Sequence, residues 1–438
     1  MKEASNYLKN AIFIILLGII LIPIVVSKSI KRKELPIYGS FVANEKPVFS
    51  KTSYTNGEFQ EKYALYFNDA IPFRSYFLKS HNQLQFTLFR EVYLDEAKVG
   101  KEDYLFQELY MNELNGKEYI GDKLIRERTK RFKFIQTELE KRGKKLIIVF
   151  APGKASYYSE YIPYQYKKKV GINNYEAYTK SFEENKINYI DFLAHFNALK
   201  ATTPYPLFGK NGIHWSVYGM HIAMDSLTKK MGMMMGKKLP EKIYEGIELT
   251  DTARFVDNDL ELDLNLLFPL KGFKMAYPKV VFKQLSDSYK PNTIVVADSY
   301  WWVVHNAFIP ANQFNTYHYL YYNNSVFNSS GKENVVVTEA LINDYVNKTD
   351  FVILLVTERN LHMFPFGFAE QLEKILSPNF AIKNLAYSKA LEDIISEIKN
   401  DEAWFISVKE KAKKNNVMLE QQLRDDAEWI LKQKKSLW

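Results

Sequence analysis

Ser299 stands just past a dense apolar run, in Val295-Val296-Ala297-Asp298-Ser299-Tyr300, where a buried strand gives way to a turn. A hydroxyl at that place projects from the edge of a sheet, and the first amides of a following helix, which have no partners within it, are free to hold an oxyanion. Serine is a poor nucleophile until a neighbouring base takes its proton. His214 is the candidate base: it lies in Lys210-Asn211-Gly212-Ile213-His214-Trp215-Ser216-Val217-Tyr218-Gly219, a turn-rich segment leading into a helix, and the chain has only seven histidines. Each residue also has a plainer reading, Ser299 as a helix cap and His214 as a ring packed beside Trp215. The chain has no cysteine and its histidines show no ligand spacing, so neither a metal nor a cofactor is called for.

The elements that must position these two residues follow from hydrophobic patterning. Lys145 to Phe150 is a short apolar run ending at Ala151-Pro152-Gly153, and further runs lie at 187–192, 293–296 and 351–356. Their Ile/Val content and lack of alternation predict strands buried on both faces. Helices are predicted over 68–89, 121–141 and 175–185 from apolar spacings of three and four. Short strands alternating with helices predict an α/β fold, an open and mostly parallel sheet flanked by helices, with its chemistry at the carboxyl ends of the strands. Residues 34–390 read as one such domain, in which 236–283 fits poorly and is assigned to an insertion. Residues 391–438 form a polar helical tail with two apolar stripes, Trp404, Val408 and Ala412 on one and Leu419, Leu423, Ala427, Ile430 and Leu431 on the other, separated at Asn415-Asn416. The pattern predicts two amphipathic helices.

Ala297-Asp298-Ser299-Tyr300 paired with the upstream His214-Trp215-Ser216 and Gly219 resembles the SGNH-like domains of the alginate O-acetyltransferase family, extracytoplasmic proteins that work beside a membrane-bound O-acyltransferase. Other pieces are similar: Phe67-Asn68-Asp69 through Arg74, Val99-Gly100-Lys101 with Leu105-Phe106, Ala151-Pro152-Gly153-Lys154, and Glu358-Arg359-Asn360. The likeness spans roughly residues 60–365. It implies an SGNH-hydrolase-like fold, Ser299 as the acyl-accepting nucleophile and His214 as its general base. The family usually carries an aspartate two residues before the histidine, and here that position is Gly212; the usual glycine before Asp-Ser is Ala297. The sequence leaves two outcomes open, a substitute acid or weaker chemistry. Asp191 and Glu358 each end a predicted strand and Asp298 adjoins the serine; Asp191 is carried forward as the third catalytic candidate.

Residues 1–33 read as a membrane anchor with a basic flank. Ala11 to Val26 is apolar throughout apart from Gly18 and Pro23, and the span is placed at residues 8–27, followed by Lys28, Lys31, Arg32 and Lys33 at headgroup depth. A cleaved signal peptide is the rival reading. More basic residues follow the segment than precede it, which alone favours a cytoplasmic domain; the family resemblance instead places the domain outside, in a single-pass protein of the inner membrane with a periplasmic domain. The net charge of +8 sits at the ends: residues 1–33 hold six Lys/Arg and one Glu, and 409–438 hold eight and five, leaving 34–408 neutral. The core therefore has no charge suited to nucleic acid.

These expectations combine into an O-acetyltransferase that moves an acetyl group through Ser299 onto hydroxyls of an extracytoplasmic polysaccharide, with the membrane-bound O-acyltransferase as partner. Two rivals remain open. One is a carbohydrate esterase using the same serine with water as acceptor, and the other a catalytically silent scaffold, for which Gly212 is the evidence.

Overall fold

A computed structural model describes residues 2–29, 34–39, 43–94, 96–283, 287–377, 380–415, 417 and 419–434. In chain order the strands are β1 (Ala97–Val99), β2 (Leu105–Gln107), β3 (Lys145–Ala151), β4 (Tyr189–Asp191), β5 (Glu241–Thr250), β6 (Met275–Lys283), β7 (Thr293–Ala297), β8 (Tyr317–Tyr321), β9 (Ser325–Asn328), β10 (Gly331–Lys332) and β11 (Phe351–Thr357). Seven of them form the central sheet in the order β10-β9-β8-β7-β11-β3-β4. From β8 to β4 every neighbour is parallel, whereas β9 and β10 run antiparallel at one edge. The sheet is thus mixed, a correction to the mostly parallel expectation. The reason is local: Tyr322 and Asn323 both take left-handed backbone angles, which turn β8 straight back into β9 as a hairpin instead of a helical crossover.

The period-2 pleat of the sheet divides its apolar residues between two layers. Ile147, Val149, Val295, Ala297, Ile353 and Leu355 face one core, closed by Phe192–Leu199 and by Met220, Met224 and Leu227 of the helix Val217–Met235. Leu146, Ile148, Phe150, Ile294, Val296, Val352, Leu354 and Val356 face the other, covered by Asp122–Lys141, Asn174–Asn185 and Phe368–Leu376. Each of these strand side chains is at most 1% exposed, and burying an aliphatic side chain of this size stabilises by about 1.5–3 kcal/mol. Because both faces are covered, the sheet leaves only its strand ends for chemistry.

Residues 236–283 are dominated by an antiparallel ribbon of β5 and β6. The connection between them carries the 3-10 turn Phe255–Asn258 and the short helix Asp259–Asp263. Leu260 and Leu264 of this connection are buried with Ala97 of β1 and Leu105 of β2. The ribbon is therefore folded back onto the body of the domain at the carboxyl edge of the sheet.

Two readings of the chain's ends differ from the structure. A helix runs from Lys2 to Ser29, but among the described residues no helix is long and apolar enough to cross a membrane. The apolar run from Ala11 to Val26 rises about 24 Å at 1.5 Å per residue, short of a hydrocarbon core of about 30 Å. The span at residues 8–27, and with it the single-pass inner-membrane placement, is not supported. Lys31, Arg32 and Lys33 lie outside the described residues. At the other end the described residues form three helices, Phe380–Asn400, Glu402–Asn415 and Leu419–Lys434. Their stripes meet in a cluster of their own, with Ile398, Val408, Leu423 and Ala427 buried together.

Candidate active site

The turn after β7 is held by Asp298, which is fully buried. Its Oδ2 accepts hydrogen bonds from the Thr357 amide (2.8 Å), the Thr357 hydroxyl (2.8 Å) and Asn360 Nδ2 (2.9 Å), and its Oδ1 accepts from the Tyr300 amide at 3.1 Å. Tyr319 donates its hydroxyl to the Asp298 carbonyl at 2.7 Å. Asp298 thus splices β7, β8 and β11 together, and Ser299 emerges half-buried between fully buried neighbours. Among the described residues the backbone bonds of this turn run to the carbonyls of Asp298 and Ser299 and leave the Ser299 amide uncommitted, as an oxyanion donor must be.

The residues around His214 divide its positioning among them. Trp215 is fully buried and bridges Phe208. Ser216 caps the following helix, its Oγ accepting from the Gly219 amide at 2.9 Å and donating to the Pro206 carbonyl at 2.7 Å. A β-carbon on Gly219 would lie 2.6 Å from the Leu207 carbonyl oxygen, so only glycine lets the helix start so close to that chain. Tyr300 donates its hydroxyl to the Ile213 carbonyl at 2.9 Å, tying the residue after the serine to the residue before the histidine.

With both loops fixed in this way, His214 Nε2 lies 3.0 Å from Ser299 Oγ and His214 Nδ1 lies 2.5 Å from Asp259 Oδ2. The other oxygen of Asp259 accepts from the amides of Ile213 (2.9 Å) and Leu260 (2.8 Å). A carboxylate fixed by two amides and turned on Nδ1 selects the tautomer in which Nδ1 carries the proton, leaving Nε2 to accept from the serine hydroxyl. Ser, His and Asp are thus joined in one hydrogen-bonded chain.

The structure brings Ser299 and His214 together but not Asp191. Three inter-strand spacings, about 14 Å, separate β4 from β7. Asp191 caps the helix Phe192–Leu199, accepting from the Ala194 amide at 2.9 Å and from the Tyr175 hydroxyl at 2.6 Å. Asp298 is occupied as described, and Glu358 accepts from the Gly153 amide at 2.7 Å and from the Ser156 hydroxyl. Arg359 pairs with Glu96 and Gln107 instead of its neighbour Glu358. Asp259 escapes sequence reasoning because it sits 45 residues from the histidine inside the aperiodic insertion. The available signals were the missing acid at Gly212 and the acidic run Asp257, Asp259, Glu261 and Asp263 within that insertion.

Burial pushes the Glu358 carboxyl up to about 8, against the opposing effect of its bonds from Ser156 and Gly153. Its folded value lies above its ordinary 4.5, so the stability it contributes is complete below that value and is lost as pH rises through about 8. Glu358→Gln keeps an acceptor for Gly153 and a donor for Ser156 without the titration. The expected result is a variant whose melting temperature falls less than that of the wild type between pH 6 and 9, read by thermal denaturation. Equal slopes would remove Glu358 as a source of alkaline instability.

Residues 97–272 match a family described as the SGNH hydrolase-like domain of the acetyltransferase AlgX. That stretch of the chain is similar to this acetyltransferase family. The matched stretch contains His214 and Asp259 and ends before Ser299. A curated relative, "Probable alginate O-acetylase AlgJ" of Pseudomonas syringae pv. tomato, is 23% identical over 237 residues, 52% of this chain and 56% of the relative. The chain thus spans about half the length of that protein. Among solved structures, the O-acetyltransferase domain of Pseudomonas putida AlgJ is similar at 17% identity and a TM-score of 0.41, covering 63% of this chain and 98% of that one. Pseudomonas aeruginosa AlgX is similar at 13% identity and a TM-score of 0.40, covering 63% and 67%. In this family the acid is expected at the position of Gly212. Here a β-carbon at 212 would lie 2.2 Å from the Val256 carbonyl oxygen, because the backbone of the insertion occupies that space and carries Asp259 to the histidine.

Proposed function

We propose that the protein is an O-acetyltransferase that carries an acetyl group on Ser299 and delivers it to a hydroxyl of an alginate-like polysaccharide. The hydrogen-bonded chain from Ser299 through His214 to Asp259 is the observation that supports this reading, together with the acetyltransferase family matched over residues 97–272.

In the first half-reaction Ser299 Oγ attacks the carbonyl carbon of the donor ester while His214 Nε2 takes its proton, and the Ser299 amide faces the developing oxyanion. Collapse of the tetrahedral species breaks the bond to the leaving group, which receives the proton from Nε2, and an acetyl-serine ester remains. In the second half-reaction the sugar hydroxyl attacks that ester and gives its proton to Nε2, and Ser299 Oγ leaves and takes the proton back. We assign the donor role to a membrane-bound O-acyltransferase on a separate chain. Asp259 favours this catalytic reading over that of a silent scaffold, since the base has its orienting carboxylate.

The test is mass spectrometry of the full chain after exposure to p-nitrophenyl acetate. An acetyl group on Ser299, absent from Ser299→Ala and His214→Ala, is the expected result, with transfer to added oligomannuronate falling to background in both variants. Acetate release without sugar acetylation would assign an esterase. No adduct in the wild type would reject the serine mechanism altogether.

A further inference from the structure

Lys154 follows the β3 strand in Ala151-Pro152-Gly153-Lys154 and is a lysine only 1% exposed. Among the described residues no carboxylate forms an ion pair with it. Its Nζ donates to two backbone carbonyls, those of Lys210 at 2.6 Å and Gly212 at 2.7 Å, and it lies 5.4 Å from the centre of the Phe106 ring. Both carbonyls belong to the loop that presents His214. Burial draws its affinity for a proton down to about 7, while the nearby Asp259 charge acts in the opposite direction. A lysine is costly to hold in such a place, and one whose two hydrogen bonds both go to a single loop calls for a reason.

The peptide unit between Gly212 and Ile213 supplies one. Its oxygen accepts from Lys154, and its N–H is the one that donates to Asp259 Oδ1 at 2.9 Å. Rotation of that peptide plane would release both bonds together. We infer that Lys154 is a positioning residue for the triad: by fixing the Gly212–Ile213 peptide plane it fixes the amide that turns Asp259 onto His214. The sequence of contacts is continuous, from Lys154 Nζ to the Gly212 carbonyl, across the peptide to the Ile213 N–H, and through the Asp259 carboxylate to Nδ1 of His214. A donor polarising the carbonyl also strengthens the N–H donor on the other side of the same amide. The kinetic consequence rests on the Ser299 reading; the geometric claim does not.

Two readouts on the full-length protein separate these. The first is the far-downfield proton resonance expected of the short His214–Asp259 hydrogen bond, and the second is the rate of Ser299 acetylation by p-nitrophenyl acetate. Lys154→Met is expected to lose or broaden the resonance and to slow acetylation by about 10²-fold, the scale set by misplacing a catalytic group by an ångström. KM for the small ester should stay unchanged, since Lys154 touches no substrate. Should K154M fail to fold, Lys154→Gln, which keeps a donor but is shorter and uncharged, decides on the same two readouts. Wild-type resonance and rate in a folded variant would overturn the proposal, as would a wild-type protein with no downfield resonance to hold. If the wild type shows the resonance but Ser299 never acetylates, the acyltransferase reading fails while the resonance still judges Lys154.

Discussion

Asp259→Asn lowers the rate of Ser299 acetylation by about 10⁴ with little change in fold. The expectation follows from which oxygen does what. Oδ1 accepts from the amides of Ile213 and Leu260, and the carbonyl oxygen of asparagine can keep both bonds, so its Nδ2 is forced to the place where Oδ2 now faces His214. An N–H aimed at Nδ1 makes that nitrogen an acceptor and moves the ring proton to Nε2. The base then presents a hydrogen to a hydroxyl it is meant to deprotonate. Asp191→Asn serves as the control: Asp191 caps a helix, and its replacement is expected to cost at most about 1–2 kcal/mol of stability while leaving acetylation unchanged. Single-turnover kinetics and thermal melts measure both. A slow Asp191 variant beside an active Asp259 variant would reverse the assignment of the acid.

That contrast shows what sequence can and does not carry. Strands β3, β7 and β11 are legible because burial on both faces leaves runs such as Lys145 to Phe150 with no room for polar residues. Ser299 and His214 are legible because each sits in a local motif whose parts do local work, Asp298 bolting the turn and Ser216 capping the helix. Asp259 has no such context. Its place is set by a fold-back of the insertion, held by Leu260 and Leu264 against β1 and β2, and a contact of that range leaves no period in the sequence. Reasoning from strand ends chose Asp191 because the rule names an edge of the sheet without saying how far along it a residue lies; β4 closes one side of the sheet, with β11 and β3 between it and β7. The mixed sheet escaped for a related reason. The hairpin at Tyr322 and Asn323 uses two left-handed residues without the glycine that ordinarily announces such a turn.

Gly212→Asp, which restores the acid usual in the family, is expected to reduce activity. A β-carbon at 212 would lie 2.2 Å from the Val256 carbonyl oxygen and 2.8 Å from the Asp257 carbonyl carbon and oxygen. These are backbone atoms, so no side-chain rotation relieves the clash, and the segment leading into Asp259 must move. Overpacking of this kind costs about 1–3 kcal/mol, and a shift of about an ångström in the orienting carboxylate is enough to lose about 10²-fold in rate. Gly212→Ala should show the same loss of stability without supplying a carboxylate, which separates the steric effect from any chemistry of the new acid. The measurement is the melting temperature and the Ser299 acetylation rate of both variants. A G212D protein as stable and as fast as the wild type would mean that the Val256–Asp257 backbone yields easily and that Asp259 is dispensable. The expected failure would instead make the two changes a single exchange, in which glycine at 212 opens the space that the insertion needs to bring its own carboxylate to His214.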